Sequence, residues 1–241
     1  MITFLYIILV LFFIYVFFYK QSIEDYTILQ LKDWNKVKDS LSEKAPIIIT
    51  DIPIPYCVNK QSLLNTQRFL NISLGSCNLK DYLDGNALCE LKVNSDLETY
   101  LANETGFHSY VNQNIYNKLN THFASDYISS FESRICFGSH TLQKTSAIYT
   151  IIMPIESKYT VSLVNPYYDK TLPQYYKNID NIERLQTNVQ YIDVIVKPNT
   201  ILILPAHWYY LLKADSKGAY YTIIDYHEPV SMLNSYLEKM S

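Results

Sequence analysis

Residues 194–214 read VIVKPNTILILPAHWYYLLKA, and this stretch decides the fold class of the chain. The β-rich runs VIV and TILILP flank the polar turn Lys197-Pro-Asn-Thr200, and a third run, HWYYLLKA, follows Pro205. Short β-branched and aromatic runs that are separated by turn residues are typical of antiparallel strands. We therefore expect this part of the chain to lie in a β-sheet core.

The same pattern fills most of the sequence from residue 132 to residue 227. The runs are ESRICFG, SAIYTIIMP, KYTVSLVN, QYIDVIV, TILILP, HWYYLLKA and AYYTIIDY. Several closely spaced strands with polar breaks predict an antiparallel sandwich or barrel.

The region before this core is predicted to be mainly helical. Leu29, Leu31, Trp34, Val37 and Leu41 have the spacing of one helix face, and this helix is expected to reach about residue 43. The β-branched run Ile47–Thr50 predicts a buried strand. Further helices are expected from the capping box Ser95-x-x-Glu98 to Leu101, from Tyr110 to Phe123 and, at the end, from Val230 to Met240.

The first residues form a separate apolar segment. Residues 2–19, ITFLYIILVLFFIYVFFY, carry no charge, and as a helix they would extend about 27 Å, close to the apolar thickness of a bilayer. No charged segment precedes them and no small-residue cleavage site follows, which favours an uncleaved anchor over a signal peptide. Lys20, Lys32, Lys36 and Lys38 on the C-terminal side favour a cytosolic globular domain.

The expected domain plan follows from these patterns. Residues 1–20 are predicted to be a transmembrane anchor, and residues 21–241 one domain with a helix-rich part (21–130), a β-rich core (131–229) and a C-terminal helix (230–241). The net charge of −3 excludes a general nucleic-acid footprint. The 23 tyrosines fit sheet faces or interfaces, and equally a biased genome composition.

The four cysteines leave two alternatives open. Cys57, Cys77, Cys89 and Cys136 form no CxxC pair, so a zinc ribbon is not indicated. They would form two disulfides in an oxidising compartment, or remain four buried thiols in a reducing one.

The order of these stretches resembles the cupin-like, Jumonji-C-related domain of non-haem iron, 2-oxoglutarate oxygenases. The resemblance covers about residues 25–229 and is carried by KAPIIITDIP, by ICFGSH…IYTIIMPIESKYTVSLVNP and by VIVKPNTILILPAHWYYLLKA. It implies an α+β fold: the N-terminal transmembrane helix, then a mainly antiparallel double-stranded β-helix (a cupin-like jelly roll) with flanking helices.

The resemblance also locates the positions where metal ligands would lie. The family holds Fe(II) with two histidines and one carboxylate, and leaves room for 2-oxoglutarate and oxygen. The matching positions in this chain are Lys144, Ser146 and Tyr210, which are not such a set. The resemblance thus implies the fold without the activity, and no cofactor is expected; Fe(II) and 2-oxoglutarate are the alternative.

Four other residues are weaker candidates for a metal site: His140, His207, Asp225 and His227. His207 is three residues from Tyr210, so in a strand it would point away from the interior if Tyr210 points inward. Lys158 lies in the turn where the family carries a basic residue, and a solvated turn is its ordinary interpretation. The sequence contains no GxSxG, P-loop or HExxH motif.

Three functions remain open. The leading hypothesis is a single-pass membrane protein that presents a catalytically inactive module for binding or assembly, similar to proteins of large DNA viruses. That similarity implies a place in a virion membrane, with the lipid bilayer and other structural or capsid proteins as partners and no nucleic acid. The alternatives are a membrane-anchored Fe(II)/2-oxoglutarate hydroxylase and a barrel that binds a small molecule or glycan. Tyr149, Tyr159, Tyr210 and Tyr221 are the candidates for lining such a pocket.

Overall fold

The fold is known from a computed structural model of the chain. It describes residues 2–21, 26–85, 89–119, 128–173, 175–185 and 189–240. The last residues of the helix predicted from Tyr110 to Phe123 lie outside this part.

Eight antiparallel strands form the β-rich core. They are β3 (Ser130–Phe137), β4 (His140–Lys144), β5 (Tyr149–Pro154), β6 (Tyr159–Val164), β7 (Tyr191–Val196), β8 (Ile201–Pro205), β9 (Tyr209–Ala214) and β10 (Tyr220–His227). One sheet has the order β8-β5-β10-β3 and the other the order β4-β9-β6-β7. This arrangement is that of a jelly-roll-like double-stranded β-helix, and it confirms the predicted antiparallel core within a mixed α+β fold.

Alternation along the strands separates the barrel interior from an outer, helix-covered face. Cys136, Ile152, Tyr210 and Tyr221 belong to one buried cluster between the two sheets. The residues next to them in sequence on β3, β5 and β10 point the other way, toward the helices, and belong to a second buried cluster. Successive strand side chains point to opposite faces, so each of these three strands contributes to both clusters.

Short helices cover the outer face of the first sheet. Their bounds are α2 (Val37–Ser40), α3 (Lys60–Asn65), α4 (Gln67–Leu70), α5 (Leu79–Leu83), α6 (Ser95–Glu104), α7 (Phe107–Val111) and α8 (Asn117–Leu119); α9 (Pro229–Met240) closes the chain. The residue that caps α6 is Asn94, whose Oδ1 accepts from the backbone N of Leu97 at 2.9 Å. The predicted helix is present, but Ser95 is its first residue and not its cap.

The helix predicted over residues 29–43 is only partly correct. Leu29–Leu31 form a short strand, β1, that pairs in parallel with β2 (Ile47–Ile49), the strand expected from the IIIT run. Helical turns begin only at Trp34. Leu29 and Leu31 have both a helical and a strand spacing, and pairing with β2 on the edge of the first sheet decides between them.

The N-terminal apolar segment forms α1 (Ile2–Lys20), whose C-terminal end packs against the core. The Tyr15 hydroxyl donates to the Glu228 carboxylate, and the Tyr19 hydroxyl donates to the Ser146 carbonyl at 2.7 Å. In the part of the chain that the structure describes, no helix is long and apolar enough to cross a membrane. The transmembrane anchor predicted for residues 1–20 is therefore not confirmed.

The cysteines follow neither alternative completely. Cys77 and Cys89 form a disulfide with a Cα–Cα distance of 5.6 Å, whereas Cys57 and Cys136 are free. The disulfide joins the two sides of the segment that contains α5, and isolated β-bridges lie near it, at Ser73 with Asn78 and at Gly75 with Leu91.

Candidate functional site

The pairing of β4 with β9 decides which side chains occupy the expected ligand positions. Tyr210 lies opposite Gln143, and its hydroxyl donates to Gln143 Oε1 at 3.0 Å. Because Tyr210 points into the barrel, Gln143 is the residue of β4 that faces the interior there.

Lys144 lies on the opposite face of the same strand. It pairs with Tyr209, which lies in a third buried cluster, on the outer face of the second sheet. The Lys144 ammonium lies 2.5 Å from Asp169 Oδ1, and the Tyr209 hydroxyl donates to the same carboxylate. The residues matched from the sequence, Lys144 and Tyr210, therefore do not converge.

A register irregularity brings two residues of β4 to the same face. The β4–β9 pairing shifts between His140 and Gln143. A shift of one residue moves a side chain to the other face of a sheet, so His140 and Gln143 both face the interior although they are an odd number of residues apart.

The residues at the expected ligand place do not fit iron. Gln143 and Tyr210 are neutral and bonded to each other, and the buried Thr145 hydroxyl lies 2.7 Å from the Pro205 carbonyl. Ser146 contributes its backbone carbonyl to Tyr19. A two-histidine, one-carboxylate site requires donors that this group lacks.

The four weaker candidates are dispersed. Asp225 is held by Arg134 at 2.6 Å and by the Thr150 hydroxyl at 2.6 Å. His227 Nδ1 is 3.4 Å from the Ser231 hydroxyl, outside the barrel centre. His140 alone among them lies in a group of potential metal ligands.

His207 lies in the turn before β9 and contacts α1. Its φ of 70° is in the left-handed region, and its ring packs edge-on against Tyr19 with 4.7 Å between centroids. Its Nε2 is buried and has no hydrogen-bond partner among the described residues. Burial, with the nearby Lys144 ammonium, lowers the pKa of His207 to about 4.

The group around His140 comes from three elements. Glu98 on α6, Cys136 on β3 and His140 on β4 each place one potential ligand atom within 4.8 Å of the others. Glu98 is 4% exposed and Cys136 is fully buried. It is the one such group of three or more His, Cys, Asp or Glu found in the described ranges.

Charges in the barrel interior control the ionisation of this group. The Arg134 guanidinium, bonded to Asp225, lies 3.9 Å from Glu98 Oε2. Burial, and then Arg134, lowers the pKa of His140 to about 4. Burial raises the pKa of the Glu98 carboxyl despite Arg134, and it raises that of the Cys136 thiol well above its ordinary value.

Sequence reasoning missed two of these three residues. In the sequence, Glu98 is marked only as the last residue of a predicted capping box, and Cys136 only as one of four cysteines without an assigned partner. Nothing in their spacing reveals the contact, because α6 reaches β3 only through tertiary packing. Three polar atoms nearby, Arg134 Nε, Tyr159 Oη and Tyr221 Oη, are buried without a partner among the described residues.

The predicted pocket tyrosines divide between two places. Tyr159, Tyr210 and Tyr221 face the barrel interior and are at most 3% exposed. Tyr149 faces the other side, where it lines a cavity of about 150 Å³ between α1 and the barrel, together with Lys44 and Trp208. Lys158 lies in its turn and pairs with Asp215 at 2.7 Å.

Comparison with solved structures shows similarity to a dioxygenase, among other chains. The apo structure of the Kdo hydroxylase KdoO, a non-heme Fe(II) alphaketoglutarate dependent dioxygenase, matches with a TM-score of 0.48 and 10% identity, covering 88% of this chain and 96% of that chain. No family model matches the sequence. No curated protein matches it either.

Proposed function

We propose that this chain is a catalytically inactive cupin-like module that is held at a lipid bilayer by α1. The observation that carries the inactive character is the replacement of the metal ligands by Gln143 and Tyr210, which are bonded to each other. Neutral amide and phenol groups offer neither the imidazole nor the carboxylate donors of an iron triad.

The alternative function is a 2-oxoglutarate-dependent oxygenase, and two observations favour it. The two sheets form a jelly-roll-like fold of the kind that the sequence resemblance implies. A group of Glu98, Cys136 and His140, of which the first two are buried, also lies in the interior. That group contains one imidazole and one carboxylate, so an iron triad would need a donor set that differs from the family pattern.

Tryptophan fluorescence separates these two functions, because the chain has only two tryptophans, Trp34 and Trp208. Trp208 belongs to the interior cluster and also lines the cavity beside α1, so a W34F variant reports on these two neighbouring places. We expect Mn(II) with 2-oxoglutarate to leave the Trp208 emission of W34F unchanged. A saturable change that requires both additions would support the oxygenase and contradict the inactive module.

The bilayer part of the proposal is supported by the exposed apolar surface of α1. Thirteen large apolar side chains between Phe4 and Phe18 are 38–69% exposed. Exposed apolar surface of this extent marks a contact with lipid or another protein. On α9, Leu233, Tyr236 and Leu237 are also exposed. The Tyr15–Glu228 bond brings α1 to the start of α9.

Flotation with phosphatidylcholine–phosphatidylserine vesicles tests this attachment. We expect the full chain to float with the vesicles, and an F13K/F17K variant to float several-fold less, because both phenylalanines are exposed on α1. Y56K is the matched control, since Tyr56 is 74% exposed but lies outside α1. Equal flotation of F13K/F17K and the wild type would refute attachment through α1. The predicted contact with structural or capsid proteins of a virion remains a prediction.

A further inference from the structure

We propose that Glu98, Cys136 and His140 bind a zinc ion inside the barrel, with donor residues other than those at the ligand positions of the oxygenase family. Each residue contributes one donor, and the donor atoms already lie within 4.8 Å of one another. Zinc binds thiolate, imidazole and carboxylate donors in tetrahedral geometry.

The donors of the proposed site differ from the residues at the expected iron position, and the two groups adjoin. Gln143 Nε2 lies 3.3 Å from His140 Nδ1, so Gln143 is a direct neighbour of the proposed site. Cys136 lies on β3 and Glu98 on α6, and neither strand β3 nor helix α6 carries a family ligand in the sequence match.

The donor set favours zinc over the harder metal ions. A thiolate is a soft ligand, and a set with sulfur and imidazole binds zinc in preference to magnesium, calcium or manganese. Zn(II) also needs no particular coordination number from its d electrons, so three protein ligands and one water satisfy it.

The local charges are compatible with a bound dication. The charges of ionised Glu98, ionised Asp225 and Arg134 sum to −1 in the interior. When Cys136 Sγ binds zinc, its proton leaves to solvent, and thiolate plus Zn(II) bring the sum to zero. Asp225 holds Arg134 at 2.6 Å, whereas Arg134 lies 3.9 Å from Glu98. Glu98 thus keeps its carboxylate available as a ligand.

The unpartnered Tyr221 hydroxyl is a second, independent observation. Tyr221 is fully buried, its Oη has no hydrogen-bond partner among the described residues, and its ring lies 5.7 Å from the His140 ring. Buried hydroxyls are rarely left without a partner. A water in the fourth zinc position would supply one.

Metal analysis of the purified full chain tests the proposal. We expect about one zinc per chain after dialysis, reduced more than fivefold in C136S and in H140A. C57S is the matched control, since Cys57 is the other free cysteine and lies outside the group, and it should retain its zinc. Zinc-free wild type, or wild-type zinc content in both C136S and H140A, would overturn the proposal.

Cobalt substitution in the wild type keeps the test valid if the variants fail to fold. Co(II) bound through Cys136 should give a thiolate-to-cobalt charge-transfer band that zinc abolishes in competition. Absence of that band, or its persistence in C136S, would overturn the assignment. Iron instead of zinc, lost from the same variants, would refute the choice of metal. The result is independent of the inactive-module proposal, which the Mn(II) and 2-oxoglutarate titration tests.

Discussion

At the scale of residues, Gln143 and Tyr210 face each other beside the positions that the sequence resemblance assigns to metal ligands. The sequence match named Lys144, Ser146 and Tyr210, and the structure pairs Tyr210 with Gln143 instead of Lys144. It did not single out Gln143, because which residue of β4 faces Tyr210 is decided by pairing with β9, 67 residues further along the chain. The sequence does not predict that Glu98 lies near Cys136, because this proximity depends on how α6 packs on β3.

The Tyr210–Gln143 bond should contribute measurably to stability. Y210F removes the donor and leaves a half-buried amide oxygen without this partner, so we expect a loss of about 1–2 kcal/mol in the free energy of unfolding. Urea denaturation measures it. Y167F is the control, because Tyr167 is 64% exposed and its substitution should have no effect. A Y210F chain as stable as Y167F would contradict the inward position of Tyr210.

His207 should make stability depend on pH. Its pKa is about 4 in the folded chain and 6.5 when unperturbed, so between these values the unfolded chain binds the extra proton. Stability should therefore rise with pH from about 4 to 6.5, by up to about 3 kcal/mol from this residue.

The H207N variant isolates this contribution, and asparagine tolerates the positive φ at this position. We expect its urea midpoint to vary less between pH 4 and pH 6.5 than that of the wild type. Parallel pH profiles of the two chains, or an NMR titration of His207 near pH 6.5, would show that the ring is not buried in its neutral form.

At the scale of elements, the strands were more predictable than the helices. The runs from residue 132 onward carry their own signal, because β-branched and aromatic residues alternate with clear turn residues. Leu29–Leu31 became β1 only through pairing with Ile47–Ile49, sixteen or more residues away, and local spacing favoured a helix instead. The cap of α6 was displaced by one residue, to Asn94.

The Cys77–Cys89 disulfide should stabilise the segment between α4 and α6. The two cysteines are 12 residues apart. Closing a loop of this size lowers the conformational entropy of the unfolded chain, which stabilises the fold by about 3 kcal/mol. We expect C77S/C89S to lose about 2–4 kcal/mol of unfolding free energy, and C57S to lose much less. Thiol counting checks the bond directly, because the denatured, unreduced wild type should expose two thiols, Cys57 and Cys136. Four reactive thiols would show that the disulfide is absent.

At the scale of the whole molecule, a β-helix core is joined to an exposed apolar helix. The sequence predicted both parts, the core from its strand runs and the apolar helix from residues 2–19. It could not predict that the end of α1 docks beside the barrel through Tyr15 and Tyr19, because those contacts join residues more than 100 positions apart. That docking makes α1 and the core one structural unit in our account.

The central claim is that this core does not catalyse the oxygenase reaction, and a measurement of 2-oxoglutarate turnover tests this claim most directly. The purified full chain is incubated aerobically with Fe(II), ascorbate and 2-oxoglutarate, and succinate is quantified against a protein-free control. Our account predicts no succinate above that control, with or without added zinc. Succinate formation that depends on Fe(II) and on the folded chain would contradict it.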